Sequence, residues 1–70
     1  MKYIYKLTSS KEDADITIGH FTSRNKAIFR AEDIIKRSGE SVLVKRKRAN
    51  QFAVIGNEGA YFLIETIWVE

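Results

Sequence analysis

The chain of 70 residues has no cysteine. Neither a disulfide framework nor a thiolate zinc site can staple it, so packing or self-association must stabilise the fold, and a reducing cytoplasm suits it. No apolar run approaches the roughly 20 residues that span a bilayer. The opening MKYIYKLTSS alternates lysine with apolar residues and lacks a signal-peptide core. The chain is therefore expected to be neither membrane-spanning nor secreted through a leader, with no membrane partner. Proline is absent, as are low-complexity tracts and internal repeats. Without a linker, residues 1–70 read as a single domain. At this length folding buries only about 60% of the unfolded surface, which disfavours a deep substrate cavity and hence an enzyme.

Motifs that carry chemistry are also missing. No P-loop, dinucleotide fingerprint or pair of carboxylates on a common scaffold is present. Histidine occurs once, at His20, with no serine and acid at useful spacing. Ser9, Ser10, Ser23, Ser38 and Ser41 fall where turns or caps are expected, and local backbone hydrogen bonding explains them. Glu12, Asp13 and Asp15 offer oxygens, but without the spacing or glycine of a calcium loop they read as a solvated hairpin loop. No catalytic residue, metal ligand or cofactor is expected.

What is present is patterning. In KYIYKLT, Tyr3, Tyr5 and Leu7 share one side and Lys2, Ile4 and Lys6 the other, which predicts a strand. Polar SSKEDAD then leads to a second strand, ITIGHF, completing a hairpin. Over residues 22–38 the period changes. Ala27, Ile28, Ala31, Ile34 and Ile35 recur at helical steps, with Thr22 or Ser23 as N-cap, Lys36 and Arg37 in the last turn and Gly39 as the stop. SVLVKRKR, QFAVIG and YFLIETIWV predict three more strands, turning at Ala49–Asn50 and at the GNEG of residues 56–59. The predicted class is α+β, order ββαβββ, a five-stranded antiparallel sheet with one helix packed on one face. Its other face must meet water or a partner.

Lys and Arg number 12 against 9 Asp and Glu, a net charge of +3. The densest charge is Lys45, Arg46, Lys47 and Arg48. Strict alternation would place Arg46 and Arg48 on the side of Val42 and Val44, and Lys45 and Lys47 on that of Leu43. Such donors suit phosphates or an acidic protein, and they also keep a strand tip soluble. Tyr3, Tyr5, Phe52, Tyr61, Phe62 and Trp68 interleave with the cations as a base-stacking platform would, although a core this small also needs these rings. Phe29 falls about 160° from the centre of the helix stripe, beside Lys26, Asp33 and Lys36. It is expected to be exposed as an interface anchor with a polar rim, or to fold over a loop.

The KYIYKL opening, the GHFTSRNKA step into the helix and the closing FLIETIWVE resemble small phage and prophage proteins. Length, basic balance and the ββαβββ order are similar to small anti-CRISPR inhibitors that sit on the backbone subunits of type I surveillance complexes. The resemblance implies a non-catalytic inhibitor or modulator in the host cytoplasm whose basic residues occupy a protein surface otherwise used by nucleic acid. It assigns no role to an individual residue. The expected partner is a host protein or ribonucleoprotein complex, bound through Lys26, Phe29, Lys36, Arg37 and Lys45 to Arg48. The alternative is direct DNA or RNA binding by the Lys45–Arg48 cluster and the open sheet face. Exposed apolar surface is also compatible with a homodimer.

Overall fold

Alternation and periodicity resolve into β1 (Lys2–Lys11), β2 (Ala14–Phe21), α1 (Arg24–Arg37), β3 (Val42–Arg48), β4 (Gln51–Gly56) and β5 (Tyr61–Val69). The computed structural model describes residues 2–11, 14–48 and 50–69. All five strands form one antiparallel sheet in the order β2-β1-β5-β4-β3, and α1 lies across one face. The α+β class and the ββαβββ order stand as expected. Hairpins account for three of the four ladders. The fourth joins the first strand to the last, Tyr3 opposite Trp68 and Leu7 opposite Ile64.

The helix forms where its stripe can be buried. Ala27, Ala31 and Ile35 are fully buried against Leu7, Val54, Phe62 and Ile64, with Ile28 and Ile34 packed beside them. Alanines at the two central contacts let the backbone approach the sheet closely. Ser23 is the N-cap, its Oγ accepting from the Lys26 amide at 3.2 Å. The last turn closes by Glu40 N–H to the Ile35 carbonyl and Gly39 N–H to the Lys36 carbonyl, both 3.1 Å. That paired closure requires a left-handed residue, and Gly39 supplies it with φ +88°.

Two expectations are corrected. Ser9 and Ser10 are strand residues, not loop residues, and Ala14 and Asp15 already belong to β2. Backbone pairing on both sides, Ser9 with Ile16 and with Phe62, outweighs the weak strand preference of serine. Ser10 Oγ donates to Asp15 Oδ1 across this ladder at 2.9 Å. Glu12, Asp13 and Ala49 lie outside the described residues. The second correction concerns the sides of β3. A bulge between Val42 and Val44 breaks the alternation, so Val42 packs on the helix side while Val44, Arg46 and Arg48 share the opposite face.

Candidate docking surface

The basic run of β3 is divided by the pleat. Lys45 and Lys47 oppose Val54 and Phe52 and stand on the helix side, where Lys45 Nζ reaches Glu32 Oε2 at 3.4 Å. Arg46 and Arg48 oppose Ala53 and Gln51 on the uncovered face. Both arginines are exposed, and neither takes part in an ion pair among the described residues.

Directly opposed residues of an antiparallel sheet share a face, so the registers can be followed from edge to edge. One row runs His20, Lys6, Glu65, Gln51, Arg48, one residue from each strand. Four strand spacings make it about 19 Å long. The next row is Thr17, Thr8, Leu63, Ala53, Arg46. Beyond it, Tyr61 opposes Ile55 and Ile55 opposes Val44. On the other side of the charged row, Ile4 opposes Ile67 and Lys2 opposes Val69.

The uncovered face thus presents Lys2, Lys6, Arg46 and Arg48 against the carboxylates of Asp15 and Glu65, interleaved with partly exposed apolar side chains. Ala53 is the small residue at its centre. Around it Arg46, Arg48, Gln51, Ile55, Tyr61 and Leu63 enclose a shallow depression of about 110 Å³. A basic rim over an apolar floor can seat an acidic side chain while burying some hydrocarbon around it.

The other candidate residues lie elsewhere. Phe29 is 73% exposed on the outer side of α1, flanked by exposed Lys26 and Lys36. Arg37 is bound there to Asp33 at 3.0 Å, and Arg30 meets the same carboxylate at 3.3 Å. The eight candidates therefore occupy three surfaces: the outer helix, the helix side of β3 and the uncovered sheet face. The residues that sequence reasoning leaves out are Lys6, His20 and Gln51. Their alternation is visible, but only the strand order brings them into line with Arg48.

The aromatic residues do not assemble into one platform. Phe62 is buried, and Tyr5 and Phe52 pack against the core. Tyr3 and Trp68 make an edge-on pair, ring centres 4.6 Å apart, on the helix side of the sheet. Arg24 sits 5.8 Å from the centre of the Tyr5 ring. Only Tyr61 of these rings faces the basic rows. Among the described residues, no group of three or more His, Cys, Asp or Glu side chains is placed to hold a metal ion, and no helix is long and apolar enough to cross a membrane. No family model, curated protein or solved structure matches the chain.

Proposed function

We propose that the protein is a non-catalytic binding protein that docks through its uncovered sheet face on an acidic protein surface of a host macromolecular complex and inhibits or modulates that complex. The observation that carries this reading is the cross-sheet row His20–Lys6–Glu65–Gln51–Arg48 with Arg46 beside it, on a face that the helix leaves open. A phosphodiester backbone laid along the row would meet the Glu65 carboxylate at its middle, whereas a protein surface can place a cation or an amide there. Base stacking also lacks its platform, since every one of those rings but Tyr61 is spent in the core or on the other side. The phage-like sequence pattern supports a host complex as the target.

Affinity capture from host lysate in the presence of nuclease tests the reading. The wild-type chain retains a protein complex, and Arg46→Glu with Arg48→Glu releases it while the melting temperature stays unchanged. Capture that disappears with nuclease would transfer the function to nucleic acid. Undiminished capture by the double variant would remove the uncovered face from the interface.

A further inference from the structure

A cavity larger than the depression beside Ala53 lies at the opposite end from the basic tip of β3, beneath the C-terminus of α1 and beside the β4–β5 turn. Its volume is about 370 Å³, within the range of small-ligand sites. Ile34, Ala60 and Phe62 form apolar walls, and Glu40 and Glu58 stand at the rim. Among the residues whose side chains are described, no lysine, arginine or histidine lines it. Neither glutamate belongs to an ion pair among the described residues, in a protein of net charge +3.

The Glu40 carboxylate is held in place. Its Oε1 accepts the Glu58 amide at 2.9 Å, and it rests on Gly56 so closely that an added Cβ would lie 2.6 Å from the same oxygen. Gly56 does not adopt positive φ, so the glycine serves this close approach and not a turn conformation. The second carboxylate oxygen, Oε2, is left without a partner among the described residues. A second polar group points to a ligand independently of the acids. Ser9 is only 7% exposed, lines the cavity, and its hydroxyl bonds to no described residue. Its oxygen is not sealed in the core, where Thr8 Oγ1 is the buried side-chain atom left without a partner among the described residues; it opens on the cavity, within reach of a bound group.

We infer that this cavity binds an alkyl cation, a guanidinium or primary ammonium on a short apolar stem. The stem packs on Ile34, Ala60 and Phe62, the cationic head meets Glu40 and Glu58, and the Ser9 hydroxyl accepts one of its N–H groups. The same chemistry is carried by a free diamine or guanidine and by an arginine or lysine side chain of another protein.

Amide NMR titrations of the full chain with agmatine and with an N-acetylated, C-amidated Gly-Arg-Gly peptide test the inference and separate the two sources. Saturable shifts at Ser9, Ser38, Gly59 and Ala60 are expected. Tighter binding of agmatine identifies a free small molecule, and tighter binding of the peptide identifies a presented side chain. Glu58→Gln removes a carboxylate whose oxygens hold no described hydrogen bond, and Glu40→Gln keeps an acceptor for the Glu58 amide. Each is expected to weaken binding about tenfold while the fold is kept. No saturable shift with either probe, equal shifts from neutral N-butylurea, or wild-type affinity in both variants would overturn it.

Discussion

The two faces of the sheet are made by the same strands, yet they do different work. On the covered face Leu7, Val54, Phe62 and Ile64 are almost wholly removed from water beneath the helix. On the other, the neighbours of those residues in sequence, Lys6, Ala53, Leu63 and Glu65, join rows that end in arginine. Because the strand period is two, stability and recognition are assigned to alternate residues of one segment. Substitutions one position apart should therefore report on different properties.

The sharpest way to break this division is in β1 and β5. Leu7→Ala and Ile64→Ala should each cost about 2–5 kcal/mol in denaturant unfolding, while Lys6→Ala and Leu63→Ser should cost far less. Comparable losses on both faces would mean that the uncovered side is part of the folding core. Next in size is Gly56→Ala. Its Cβ would displace the Glu40 carboxylate and press on Ala60 Cβ at 3.1 Å. The expected cost is about 1 kcal/mol, the worth of the Glu40–Glu58 hydrogen bond, read from the urea midpoint. Ser23→Ala should cost a similar amount, about 1 kcal/mol, through the lost N-cap, and Ser23→Asp should restore it.

Smaller effects sharpen the comparison from the recognition side. Lys45→Ala breaks a partly exposed ion pair to Glu32, and its effect on stability should stay within about 1 kcal/mol. Phe29→Ala should leave the melting temperature unchanged, since the ring is largely in water. If it nevertheless abolishes capture of the partner complex, the outer helix and not the sheet face is the docking surface.

Much of the architecture is legible in the order of the residues. β4 begins and ends, and β5 begins, where turn chemistry bounds their β-branched and aromatic runs, and the helix is delimited by Ser23 and Gly39. Each of these signals is local. Ser9 and Ser10 mislead for the opposite reason: their polarity suggests a loop, but neighbours distant in sequence hold them in β1. The side of Val42 escapes strict alternation because a bulge costs one residue of the period and leaves no mark in composition. The candidate site is less legible than the fold. Exposure of Phe29 follows from helical geometry alone, whereas aligning Lys6 and His20 with Arg48 requires four registers at once.

The pairing of β1 with β5 has a consequence for synthesis. β5 alone connects the β1–β2 hairpin to the β3–β4 hairpin within the sheet. Until residues 61–69 leave the ribosome, the nascent chain holds two separate ribbons whose inner edges have nothing to zip onto. Cooperative folding must wait for translation of that segment, and in the interval the apolar stripe of α1 is the surface that a chaperone would find first.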